Sequence, residues 1–319
     1  MKRFLTKVLI FALLQLFILG FIVLFNAPNA SSYMHGYKMK QELLKNTLGE
    51  RIIFVGGSNL AMGLNSEVIK EATGLNPINM GLHAGIGRQL ILNDAIPAAI
   101  KPNDLVILCL EYVSYDAMPA DVALWHLLRV DPSVAFDLSR SDVVDLSESA
   151  FSYLGGQLRM SIRNLLRGRR SLVSEAIYTT DGFNQFGDLT SHWELGSRQA
   201  PREIRPLVLE GKFFDHALSD VSDFVKECRA NGANVVFSFP PIREDQYMKN
   251  KESIDALTLL LSEGLHLETI ASAEVMAFPE EYFFDTAYHL NYSGVERRSE
   301  LLRDALCTYL NRSAQQGEL

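Results

Sequence analysis

Cysteine is scarce in this sequence. Only Cys109, Cys228 and Cys307 occur in 319 residues. None belongs to a CxxC pair or a Cys/His cluster, which argues against a disulfide scaffold, a structural zinc site and a dithiol redox motif. The low cysteine use fits either redox compartment and does not localise the chain. A basic stripe is lacking as well. The formal charge is −8, and setting aside Lys2, Arg3 and Lys7 leaves 27 basic against 38 acidic side chains in residues 26–319, a charge of −11. Such a body repels phosphate backbones, and no Lys/Arg run interleaved with aromatics offsets it, so nucleic acid is not an expected partner. Nucleotide-binding signatures are missing too: GGSNLAMG at 56–63 departs from G-x-G-x-x-G, and no lysine follows Gly63 as a P-loop requires. The chain has no internal repeat and no low-complexity tract.

One long hydrophobic run is present. After the basic MKRFLTK, residues 8–25 are uncharged, interrupted only by Gln15 and Gly20. That length is at the short end for a bilayer-spanning helix and exceeds a usual signal-peptide core. The basic flank predicts a cytoplasmic N-terminus and an extracytoplasmic remainder. The alternative, a signal cleaved after Ala30, puts Pro28 where a small residue is wanted. Residues 1–30 are therefore read as an N-terminal transmembrane anchor and 31–50 as a connector with a short helix around Lys38–Lys45.

From residue 51 the pattern changes. Residues 51–58, RIIFVGGS, form a short apolar run stopped by two glycines, as a buried parallel strand reads. Further strands are expected at 76–81, 105–110 and 234–239, with a fifth within 274–284. Helical spacing lies between them, at 66–73, 89–100, 213–229, 253–265 and 296–310. This alternation predicts a three-layer α/β/α sandwich with a parallel five-stranded sheet. Residues 113–210 break it and read as a mostly helical insertion over one end of the sheet, plus an irregular stretch at 179–196 rich in Gly, Asn, Asp and Thr. Arg163, Arg167, Arg169 and Arg170 there form either a solvated face or the lining of a substrate groove.

Two segments carry candidate chemistry. Ser58 follows a buried strand directly, at the carboxyl end where open α/β sheets bind ligands. A serine hydroxyl needs an adjacent base, usually a histidine steadied by a carboxylate. The segment 284–294, FDTAYHLNYSG, offers Asp285 and His289 close enough to share one loop.

The strand ending in Gly-Gly-Ser58, Asn79-Met-Gly81 some twenty residues on, and Asp285…His289-Leu-Asn291…Gly294 before a terminal helix resemble the blocks of the SGNH (GDSL-like) hydrolase superfamily. With the N-terminal anchor, they are more closely similar to its bacterial membrane-anchored branch, associated with O-acylation of cell-surface polymers. The resemblance covers 51–112 and 234–311. It implies an SGNH/flavodoxin-like fold, Ser58 as nucleophile, His289 as base, Asp285 as its orienter, and an oxyanion hole from the N–H groups of Ser58 and Gly81. It implies no metal or organic cofactor. The substrate class is a surface polysaccharide or glycopolymer, the partner a membrane-bound O-acyltransferase, and the location the outer face of a bacterial cytoplasmic membrane.

The chain departs from the family pattern in two ways. The third strand runs into Glu111-Tyr112-Val113-Ser114-Tyr115, with no asparagine where the third block supplies one to the oxyanion hole, and Asp285 and His289 are four positions apart rather than three. Asn59 is the candidate substitute for the missing asparagine. Asn59, His83, Glu111 and Arg243 are the candidate substrate-contacting residues. The competing reading is an SGNH-fold polymer-binding or assembly protein without catalysis; a secreted lipase-like esterase is a third.

Overall fold

In the computed structural model, residues 1–25, 32–92, 95–116, 121–167, 177–197, 203–204 and 206–316 are described. Pro28 and Ala30, on which the cleavage question turns, and Arg169 and Arg170 lie outside them.

Five parallel strands form the central sheet, in the order β2-β1-β3-β4-β6: β1 Arg51–Gly56, β2 Asn76–Asn79, β3 Leu105–Cys109, β4 Asn234–Ser238 and β6 Glu268–Ala271. Two short strands, β5 Ile242–Arg243 and β7 Ala277–Phe278, pair separately. Every residue of β1 and β3 is buried. This is why both read as unbroken apolar runs: helices cover both faces, and the Val/Ile-rich segments have no solvent side to alternate with. A buried ion pair between Arg51 and Asp104 ties the start of β1 to the start of β3. The fifth sheet strand corrects the expectation of 274–284. It is the short, mixed segment Glu268–Ala271, and the later apolar residues enter the β5–β7 pair instead.

The helices are α1 Lys2–Phe25, α2 Gly36–Asn46, α3 Ser58–Ala61, α4 Ser66–Thr73, α5 Arg88–Ile91, α6 Ala95–Ala99, α7 Val122–Val130, α8 Arg140–Arg167, α9 Lys212–Ala230, α10 Glu244–Lys249, α11 Lys251–Leu259 and α12 Tyr292–Gln316. Local chemistry sets their ends. Asn65 caps α4 by accepting the Glu67 N–H at 3.2 Å, and Gly74 closes it at φ 73°. In α9, Phe214, Ala217, Val221, Phe224, Val225 and Cys228 form one buried face. The helix expected over 89–100 is two short pieces, α5 and α6.

The expected anchor folds as the 24-residue helix α1. Among the described residues no helix is long and apolar enough to cross a membrane, and a membrane span rests on the sequence of this segment. The connector expectation needs correcting. Residues 32–46 belong to the domain, since Tyr33, Met34, Lys40 and Leu44 are buried in it. Within 113–210 the described residues are mostly helical, in α7 and α8, and these are followed by an irregular run, 177–197, held inside the domain.

Candidate functional site

The sheet order reverses direction between β1 and β3. Chain progress from β1 goes one way to β2, then crosses to β3 on the other side, and ligands of open α/β sheets bind at such a switch point. Ser58 leaves β1 and Glu111 leaves β3 at the carboxyl ends flanking that crevice. Gly57 and Gly81 let the backbones close in. A Cβ at Gly57 would lie 2.3 Å from a Glu111 carboxylate oxygen, and one at Gly81 would lie 2.6 Å from Leu60 Cβ and 2.7 Å from Gly57 O.

Asp285 and His289 share a tight loop closed by the Phe283–Leu290 bridge and by the Phe284 N–H donating to His289 O at 2.8 Å. Asp285 Oδ1 lies 2.8 Å from His289 Nδ1, so the loop absorbs the four-residue spacing. Tyr178 donates to Asp285 Oδ2 at 2.7 Å, and its hydroxyl is 3.4 Å from His289 Nδ1. Burial pushes the Asp285 carboxyl up, but the His289 hydrogen bond and charge, with the Tyr178 hydroxyl, outweigh it and hold the group below its ordinary value. Nδ1 of His289 is thereby committed to the carboxylate, which leaves Nε2 for proton transfer. No hydrogen bond joins Ser58 Oγ to His289.

The two N–H groups expected to hold an oxyanion are in different states. Nothing among the described residues hydrogen-bonds the Ser58 N–H. The Gly81 N–H, however, donates to Asn79 Oδ1 at 2.9 Å. Asn59 is wholly buried: its Nδ2 donates to Cys109 O at 3.0 Å, and its Oδ1 accepts from Arg298 at 2.9 Å. Its amide faces the sheet and cannot replace the missing asparagine. Arg243 is likewise committed, paired with Asp245 at 2.8 Å and 3.5 Å from Glu280. Arg88 pairs with Asp220 at 2.7 Å.

Glu111 and His83 remain. Glu111 is buried; one oxygen accepts the Asn59 N–H at 2.9 Å and the other has no hydrogen-bond partner. His83 Nδ1 accepts the Gly85 N–H at 3.0 Å. Burial and then the His289 charge lower its pKa against Asp121 and Glu111, so the neutral ring carries its proton on Nε2, which has no hydrogen-bond partner among the described residues.

Several residues that sequence reasoning missed build this site from afar. Tyr33 stacks on Phe183 at 5.3 Å and meets Tyr178 edge-on at 5.8 Å; its buried hydroxyl has no partner. Asp188 accepts from Ser66 Oγ at 2.7 Å and from Asn79 Nδ2 at 2.8 Å, tying the irregular run to α4 and to the end of β2. Lys40 donates to Asn79 O at 2.7 Å, and Arg298, fully buried in α12, donates to Asn59 O at 2.6 Å. His192 Nε2 lies 3.0 Å from Leu290 O, joining the same run to the closing loop. The signal for Asp188, and for Tyr178 at its edge, lay in the length of the turn-rich stretch 179–196, because long irregular segments in compact domains are usually functional.

Among the described residues no group of His, Cys, Asp and Glu is arranged to hold a metal ion. No protein-family model matches the chain, and no curated protein matches it.

Proposed function

We propose that this protein carries out serine-dependent acyl-ester chemistry, as an O-acyltransferase or esterase of SGNH type, on a surface polysaccharide or related glycopolymer. The observation that carries the reading is the Asp285–His289 pair at 2.8 Å, braced by Tyr178, on a domain whose switch point presents Ser58 with an unengaged N–H.

In this scheme Ser58 Oγ attacks the acyl carbonyl carbon while its proton passes to His289 Nε2. The C=O electron pair moves onto oxygen, where the Ser58 N–H meets it. Collapse re-forms C=O, breaks the bond to the leaving alcohol, and returns the proton from His289 to that alcohol. Attack on acyl-Ser58 by an acceptor hydroxyl or by water, with His289 again taking the proton, completes transfer or hydrolysis. Asp285 steadies the imidazolium. His83 Nε2–H is the neutral donor available to supplement the Ser58 N–H, a role that a histidine with a lowered pKa can fill.

The hydrophobic run after a basic flank supports a single-pass anchor in a bacterial cytoplasmic membrane with the domain outside. Tyr33 belongs to the site and lies eight residues beyond Phe25, so the chain holds the site within about 28 Å of the end of that run. An acyl donor delivered at the membrane, by a membrane-bound O-acyltransferase partner, suits that geometry.

The second reading, a polymer-binding protein without catalysis, is favoured by the missing third-block asparagine and by the engagement of the Gly81 N–H. Fluorophosphonate labelling of the full chain in membranes, read by intact mass, separates the two. One adduct that disappears in both Ser58→Ala and His289→Ala supports the enzyme. Absence of any adduct on folded, membrane-embedded wild type sinks it.

A further inference from the structure

Helix α8 carries two apolar stripes, and only one is covered. Leu146 and Tyr153 turn inward, where Trp125 of α7 stacks on Tyr153 at 5.2 Å and donates to Leu146 O at 3.1 Å. On another face, Val144, Phe151, Leu158 and Leu165 recur at seven-residue intervals, with Ile162 one turn from Leu158. These side chains stand open: Phe151 is 87% and Leu165 79% exposed, and Phe136, just before the helix, is 92% exposed. A contiguous apolar stripe of this length on a water-facing helix marks an interaction surface.

Two observations choose its occupant. The first is position: α1, the most apolar segment of the chain, lies against α8, so the uncovered stripe and the hydrophobic N-terminal helix are neighbours. The second is charge. The second half of the helix, residues 155–167, contains Arg159, Arg163 and Arg167 and no acid, although the whole chain is at −8. A helix with large apolar side chains on one face and arginines beside them is built for the boundary between acyl chains and anionic headgroups.

We propose that α8 lies in the surface of an anionic phospholipid bilayer beside α1, with Phe151, Leu158, Ile162 and Leu165 at the acyl boundary and Arg159 and Arg163 among the headgroups. This rests on the membrane side of the function reading and is independent of the ester chemistry. It also assigns Arg163 to lipid rather than to a substrate groove.

The test uses the full chain with Cys307→Ser, since Cys109 and Cys228 are buried. Single cysteines replace Leu13, Phe151, Leu165 or Met248, each labelled with an environment-sensitive fluorophore. The protein is reconstituted into phosphatidylcholine vesicles with or without phosphatidylglycerol. Probes at 13, 151 and 165 are expected to shift to the blue and to be quenched several-fold better by a lipid-borne nitroxide than by iodide. The probe at 248 should show the opposite preference. Arg159→Glu with Arg163→Glu should reduce the shift at 165 only where phosphatidylglycerol is present. If position 13 enters lipid while 165 stays open to iodide, the α8 assignment is overturned and the anchor stands. If neither enters, both fall. A probe at 165 shielded from both quenchers, and released on dilution of the protein in the bilayer, would mean that a second copy covers the stripe and would also overturn the lipid assignment.

Discussion

The carboxylate of Glu111 accepts the backbone N–H of Asn59 at 2.9 Å and lies against Gly57, directly before the candidate nucleophile. Its second oxygen is buried and without a partner. A negative group beside a developing oxyanion works against the charge that acyl transfer generates, whereas one well-aimed donor typically contributes about a hundredfold or more in rate. Glu111→Gln keeps an oxygen for the Asn59 N–H and turns the unpartnered position into an N–H donor. It is expected to label with fluorophosphonate about tenfold faster than wild type, a conservative fraction of that effect. Slower labelling at unchanged thermal stability would mean that the carboxylate itself serves the reaction.

Tyr178 gives a second test, because it touches the proposed orienter rather than the nucleophile. Hydrogen bonds to charged groups contribute about 1.5–3 kcal/mol, so Tyr178→Phe should slow Ser58 labelling by about tenfold. A pH signature accompanies this. The Asp285 carboxyl is held below its ordinary value in the folded protein, so its contribution to stability is present above the unfolded value, about 3.9, and is lost as pH falls through the folded value. Removing the Tyr178 donor raises the folded value and shrinks that contribution. Melting temperatures of variant and wild type should therefore differ near neutral pH and converge on acidification below about pH 4. A constant difference across the acid range would detach Tyr178 from Asp285.

Sequence reading located the parts that depend on local pattern. Strands β1 and β3 are buried on both faces and cannot hide as apolar runs, and Asp285 and His289 lie four residues apart on one loop. The rest depends on contacts between distant segments. Tyr178 reaches Asp285 across 107 positions, and Arg298 reaches Asn59 across 239. Arg298 sits in a helical stretch, ERRSE, that reads as a solvated charged face, yet its guanidinium is the part that is buried. Tyr33 and Lys40 looked like a polar connector for the same reason. Strand β6 was missed because Glu268–Ala271 is half polar, as edge strands often are.

Lys40 shows what that misreading hides. Its ammonium donates to Asn79 O at 2.7 Å and to Gly187 O, and sits 4.6 Å from the centre of the Phe183 ring. It thus fastens α2 to both the second strand and the irregular run. Burial lowers its pKa to about 7, against the pull of Asp188. The folded value is below the unfolded one, so the unfolded chain binds more protons between about 7 and about 10.4, and this group makes stability rise with pH across that window. Lys40→Met should cost about 1–3 kcal/mol near neutrality, because the buried Asn79 and Gly187 carbonyls lose this donor. It should also flatten the alkaline rise in denaturant midpoint. An unchanged slope between those pH values would mean that Lys40 is not buried as an ionisable group.

Gly81 offers the sharpest separation of shape from charge. Its N–H is engaged by Asn79, but the lack of a side chain matters more: a Cβ would meet Leu60 Cβ at 2.6 Å, Gly57 O at 2.7 Å and Ala61 N at 2.8 Å. Two of these are backbone atoms of the turn that carries Ser58, so they can yield only by moving the nucleophile. Gly74 is the control. It closes α4 at φ 73° with nothing near its Cβ position, so Gly74→Ala meets only the left-handed penalty of about 1–2 kcal/mol. Gly81→Ala should lose about 1–3 kcal/mol by overpacking, a comparable amount. The two variants should part company in labelling, because displacement of the Ser58 turn by about 1 Å degrades attack geometry about a hundredfold. Equal labelling of Gly81→Ala and Gly74→Ala, at matched stability, would remove the Gly57–Ser58 turn from the chemistry.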